Sequence, residues 1–191
     1  METLCELRNG LTPEVRAGLE KNLLAYPDSY DEVFSQVGGD LQTNGYIRKI
    51  DISALAAWKR LNLSTEWMSS LQKIADADLI NRSRVLLSEG LDLRERITLF
   101  WKSGIPGFSN GTFAVASTVL SAWNPEIFGI TDRRSRARLL ELGCSCGSRI
   151  NTYSRYLDHL HFIQDEMNSE RTGVGYSCRD IDVMLFSRTT K

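Results

Sequence analysis

The chain has 191 residues, 42% of them hydrophobic and 25% charged, with a net charge of −1. That is the length of about one ordinary domain, with enough apolar content for a core that needs no stapling. No run approaches the roughly 20 apolar residues of a membrane span. The four cysteines, Cys5, Cys144, Cys146 and Cys178, form no CxxC pair and read as reduced thiols. The opening METLCELRNG lacks the basic-then-apolar order of a secretion signal, so a cytoplasmic protein is expected. The charge is unevenly placed. Met1 to Gly45 carries eight acids against three bases, which makes residues 1–44 an acidic segment, whereas Asp132 to Arg155 carries six arginines against two acids.

Helical signals then follow one another. Thr12 before Pro13 is a cap with a first-turn proline, and Leu11, Val15, Leu19 and Leu23 share a face. Asp28 is the expected cap of a short helix carrying Val33, Phe34 and Val37, ended by Gly38 and Gly39. Asp51 is expected to start the next helix, with Ile52, Leu55, Ala56 and Trp58 inward. Ser64 caps another, with Trp67, Met68, Leu71 and Ile74 as its stripe. Val85 to Leu87 close a further helix, and Gly90 fits its C′ position. Asp92 caps Leu93 to Lys102, while Thr112 to Ala122 is small and apolar all round. Asp132 to Leu142 is a basic helix ended by Gly143. Tyr153, Tyr156, Leu157, Leu160, Ile163 and Met167 mark a long amphipathic one. Ser177 with Asp180 resembles a capping pair for a last helix. Strand-like alternation is scarce. The expected fold is an all-α bundle of about eight to ten helices in a single domain, 1–191.

One segment has functional content. Between two apolar helices lies Gly104-Ile105-Pro106-Gly107-Phe108-Ser109-Asn110-Gly111-Thr112. Pro106 and Gly107 force a tight hairpin, and Gly107 and Gly111 leave room for a close backbone approach. Amides at the start of the Thr112 helix then face outward, as phosphate binding requires. The plain alternative is a helix–helix turn.

These residues, with the Ala-rich helix after them and Asp132 ahead of Arg133-Arg134-Ser135-Arg136, resemble the helix-hairpin-helix DNA glycosylase superfamily. Within it they are most similar to the 8-oxoguanine DNA glycosylase-like branch and its bacterial relatives. The likeness spans about Gly45 to Phe186; its sharp motif lies between Gly104 and Arg138. It implies a helix-hairpin-helix over 93–122, double-stranded DNA as partner, a bacterial cytosolic location and a role in base repair. It also implies that Asp132 is the catalytic carboxylate. The implied backbone contacts are Gly104, Gly107, Ser109, Gly111, Thr112, Arg133, Arg134 and Arg136. No cofactor is expected beyond, at most, a monovalent cation at the hairpin.

Two departures shape the chemistry. Ser109 stands where the family has its second hairpin glycine, in a loop one residue longer. No lysine occurs between Ser103 and Thr190, which removes the lysine–imine lyase route of the bifunctional members. What remains is hydrolysis of an N-glycosyl bond by water, with Asp132 stabilising positive charge on the sugar. Asp132 also reads as an N-cap of the basic helix. A flipped base needs an aromatic platform; Trp58, Trp67, Trp101, Trp123 and Phe128 are possible, with Trp101, Trp123 and Phe128 the base-stacking candidates, and each reads equally as a core residue. His159 and His161, two apart on a helix, make a poor metal pair. A non-catalytic DNA-binding module and a helical protein-interaction domain are the alternative functions.

Overall fold

The computed structural model describes residues 7–27, 31–59, 65–102, 112–147, 152–169 and 171–186, without the side chains of 65–67, 101–102 and 112–114. Among them helices are the only regular structure. They are α1 (Pro13–Leu24), α2 (Glu32–Asn44), α3 (Lys49–Trp58), α4 (Thr65–Lys73) and α5 (Asp76–Leu87). There follow α6 (Leu93–Lys102), α7 (Thr112–Trp123), α8 (Arg133–Glu141), α9 (Tyr153–Asn168) and α10 (Cys178–Phe186). None of the described helices is long and apolar enough to cross a membrane. The hairpin residues Gly104, Gly107, Ser109 and Gly111 lie outside the described residues, as do the caps expected at Asp28 and Ser64.

The sequence reads as a single domain; the contacts of the folded chain gather into two compact units. One is built from Met1–Pro27 with Pro125–Lys191, the other from Asp28–Asn124. In the unit made from both chain ends, α10 packs against α1, α8 and α9. Ile181, Val183, Met184 and Leu185 are all buried. A helix apolar on most of its circumference belongs at the centre of a bundle. Asn22 on α1 donates through Nδ2 to the Met184 carbonyl of α10 at 2.9 Å. The Glu166 carboxylate on α9 accepts from both Arg8 and Arg16 at 3.0 Å.

In the inner unit α7 has the central place, against α2, α3, α5 and α6. Val115 to Ala122 are buried without exception, as the small, apolar composition leads one to expect. Small residues let helix backbones approach. At Gly38 on α2 an added Cβ would lie 2.3 Å from the Ala122 carbonyl oxygen on α7. The inner unit also uses a buried cation as a cap: Arg96 on α6 donates to the carbonyls of Leu86 (3.3 Å) and Ser88 (2.6 Å) at the end of α5.

Several caps fall where the sequence puts them. Thr12 accepts from Val15 N–H ahead of Pro13, and Asp92 accepts from the amides of Arg94 and Glu95. Gly143 is left-handed (φ 86°) after α8, and Ser177 and Asp180 cap α10 reciprocally. Three boundaries are corrected. α2 continues through Gly38 and Gly39 to Asn44 and stops at left-handed Gly45 (φ 70°). α3 begins at Lys49 with Arg48 as its N-cap. Asp51 is its third residue, accepting the Arg48 N–H at 2.9 Å and a guanidinium fork at 2.8 and 2.7 Å. The last turn of α5 is closed by extended Ser88, and Gly90 has no left-handed conformation.

Candidate functional site around Asp132

Asp132 has extended backbone (φ −139°, ψ 179°) and is the N-cap of α8. Its Oδ1 accepts from the amides of Arg134 (2.6 Å) and Ser135 (3.0 Å) and from the Ser135 hydroxyl (3.2 Å). Its own N–H donates back to Ser135 Oγ at 3.4 Å. Three donors on one oxygen fix the carboxylate, and the positive end of the helix dipole favours its charge. Asp132 is half-buried while Ser135 is fully buried, so the acid stands at the boundary between core and surface.

The arginines of α8 divide by surroundings. Arg133 and Arg134 are exposed, and the Arg134 guanidinium lies 5.1 Å from the centroid of the Phe186 ring. Arg136 is half-buried and donates to Thr131 Oγ1 at 3.3 Å. Arg138 pairs with Glu141 along the helix. Arg133 and Arg134 are thus the two cations beside Asp132 that face solvent. Thr112 opens α7 in the inner unit, whereas Asp132 and its arginines belong to the other.

The aromatic candidates are dispersed. Phe128 is buried in the core of the unit holding Asp132. Trp123 is half-buried at the end of α7, where its carbonyl accepts from Gln42 at 2.9 Å. The Trp101 side chain is outside the described residues. Trp58 is half-buried, its ring centroid 5.1 Å from that of Phe34. Among the described residues no cluster of His, Cys, Asp and Glu could hold a metal ion.

Behind Asp132 lies a buried polar system that sequence reasoning missed. The Tyr153 hydroxyl donates to the Gly129 carbonyl at 2.8 Å, which anchors the segment entering the Asp132 cap to α9. The Tyr156 hydroxyl is 2.8 Å from Asp182 Oδ1 and 3.2 Å from the Ile130 carbonyl. It has one proton, and the shorter, charge-assisted bond goes to Asp182. Asp182 Oδ2 accepts from Arg179 at 2.7 Å, and Arg179 reaches the Tyr26 hydroxyl at 3.2 Å. Arg179 and Asp182 are both buried. Burial first, and then the Asp182 charge, push the Tyr156 phenol well above its ordinary range, so it keeps its proton. Tyr153 is raised by burial and by the neighbouring Cys178 and Asp182.

The periodic reading places Tyr153 and Tyr156 correctly as core. The i,i+3 spacing of Arg179 and Asp182 was the available signal for the pair that receives Tyr156. Comparison with known proteins finds no family model, curated protein or solved structure that matches the chain.

Proposed function

We propose that the chain is a DNA-binding, glycosylase-like protein: a monofunctional DNA N-glycosylase that excises a damaged or modified base with Asp132 and water. The observation that carries this reading is the Asp132 cap. A carboxylate is fixed by three donors at the half-buried head of a basic helix, with exposed Arg133 and Arg134 beside it. The hairpin sequence from Gly104 to Thr112 and its resemblance to the glycosylase superfamily supply the DNA partner and the reaction class. Cleavage of an N-glycosyl bond develops positive charge on the sugar. A fixed carboxylate stabilises that charge and orients the attacking water. The chain's lack of lysine from Ser103 to Thr190 leaves water as the nucleophile in place of an imine at the hairpin's second helix.

A non-catalytic DNA-binding module is favoured by one observation: the bonds to Asp132 Oδ1 account for its presence as a helix cap alone. Two measurements decide. Duplex binding should weaken steeply as salt rises, through the phosphate contacts of Arg133 and Arg134. No binding at low salt excludes both DNA readings and leaves a protein-interaction domain. Base release from a panel of lesion-bearing duplexes should then fall about 100-fold or more in Asp132→Asn. Binding without any release identifies the module.

A further inference from the structure

In the unit built from both chain ends, a cleft of about 490 Å³ lies between α1, the end of α9 and the chain that enters α10. Pro13, Ala17 and Met167 are its apolar lining. Tyr176 forms one wall, and its place is fixed at both backbone and side chain. Its N–H donates to Asn168 Oδ1 at 2.7 Å, and its carbonyl accepts from Asn168 Nδ2 and Gln164 Nε2, both at 3.0 Å. Gly175 permits that grip, since an added Cβ there would lie 2.9 Å from Asn168 Nδ2. The Tyr176 hydroxyl donates to Glu20 Oε1 of α1 at 3.0 Å. The Arg171 guanidinium lies 3.9 Å from the centroid of the Tyr176 ring, at stacking distance.

The cleft has donors to spare. Of the five N–H groups of Arg16, three are spent on the Leu11 carbonyl, the Glu166 carbonyl and the Glu166 carboxylate. The other two belong to a side chain that lines the cleft and is 25% exposed. Glu166 does not neutralise it, because the same carboxylate also takes Arg8. Arg171 is exposed and has no carboxylate partner among the described residues. Against these two cations the lining sets one acid, Glu20, whose Oε2 is left over by the bond to Tyr176. We propose that this cleft binds a nucleoside 5′-monophosphate: the base stacks on the open face of the Arg171 guanidinium, the phosphate takes the spare N–H groups of Arg16, and Glu20 accepts from the ribose hydroxyls. A guanidinium laid flat on an aromatic ring offers its second face to a base. Arginine N–H groups make strong charge-assisted bonds to phosphate, and a carboxylate accepts from hydroxyls. The volume falls within the roughly 300–1,000 Å³ of small-molecule sites. A bare anion would leave the stacked platform and Glu20 unused; a neutral ring would leave Arg16 unused. The site stands apart from the proposed use of Asp132 and does not rest on it.

Calorimetric titration of the full chain with AMP tests this, with adenosine and inorganic phosphate as the two halves of the ligand. AMP should bind, and each half should bind about 10-fold or more weakly. Arg171→Ala should weaken AMP about 10-fold or more, and the fold should hold because that side chain is exposed. Arg94→Ala, which removes an exposed cation from the other unit, should leave AMP binding unchanged. Arg16→Ala should weaken AMP and leave adenosine as it was. Should Arg16→Ala not fold, NMR of the wild-type chain decides: AMP should shift the methyl resonances of Ala17 and Met167 and the amide of Tyr176. Shifts at Arg133 and Arg134 instead would put AMP on the Asp132 face and overturn the site. No binding at millimolar AMP overturns it as well, as does undiminished binding in Arg171→Ala. AMP no tighter than phosphate removes the base from the proposal and overturns it; AMP no tighter than adenosine removes the phosphate and does the same.

Discussion

Asp132 caps α8 and, in the proposed reaction, would also act chemically, and single substitutions separate the two roles. Asparagine caps a helix about as well as aspartate, whereas alanine costs about 1 kcal/mol. Urea unfolding of Asp132→Asn should therefore lie close to wild type, with Asp132→Ala destabilised by about that amount. If the proposed reaction is right, base release should be lost in both. Equal destabilisation by the two would mean that the carboxylate charge, and not its hydrogen bonds, supports α8. His159 gives the residue scale its pH dependence. It is buried, its Nδ1 has no hydrogen-bond partner among the described residues, and burial lowers its pKa below the ordinary value near 6.5. The folded state thus resists the proton that the unfolded state accepts. Its contribution is fully present above about pH 6.5 and is lost as pH falls through the folded pKa. Denaturation midpoints measured from pH 7.5 to 5.5 should decline less in His159→Leu than in wild type. An identical decline would exclude His159 as a source of acid sensitivity.

At the scale of the helix, adjacent glycines in α2 show what a sequence discloses and what it conceals. Gly38 and Gly39 together read as a terminator, yet the helix passes through both. Gly38 is needed because the Ala122 carbonyl sits where its Cβ would be, whereas nothing lies within 4 Å of the corresponding point at Gly39. Gly38→Ala should destabilise the protein by about 1–3 kcal/mol through overpacking. Gly39→Ala should stabilise it by about 0.5–1 kcal/mol through helix propensity. Chemical denaturation of the pair checks both signs. The same distinction explains the other boundaries. Thr12, Asp92, Asp132 and the Ser177–Asp180 pair act on amides two or three residues away, so their chemistry is local and legible. Arg48 is no conventional cap. It serves α3 because Asp51 grips it and Asp40 of α2 also contacts its guanidinium, a tertiary circumstance. The Tyr156–Asp182 bond joins residues 26 apart on different helices, and nothing local to Tyr156 distinguishes it from an apolar core position.

For the whole molecule, α7 and α10 do equivalent work, each the buried centre of its own unit. The all-α class was legible because helix periodicity recurs along the chain. The division into units was not, since it depends on α1 finding α10 rather than its sequence neighbour α2. Ile181 is fully buried, and Ile181→Ala should cost about 2–5 kcal/mol. Hydrogen exchange should show the loss in α1, α8 and α9, with the amides of α7 retaining their protection. Uniform loss in both units would instead mean that they open as one. The arrangement also orders events on the ribosome. Residues 28–124 are complete as soon as they emerge, but α1 must wait for α10, about 150 residues later. At about 5–20 residues per second that delay is roughly 8–30 s. Throughout it Leu11 and Leu19, destined for the core, lack their final cover and are open to a nascent-chain chaperone.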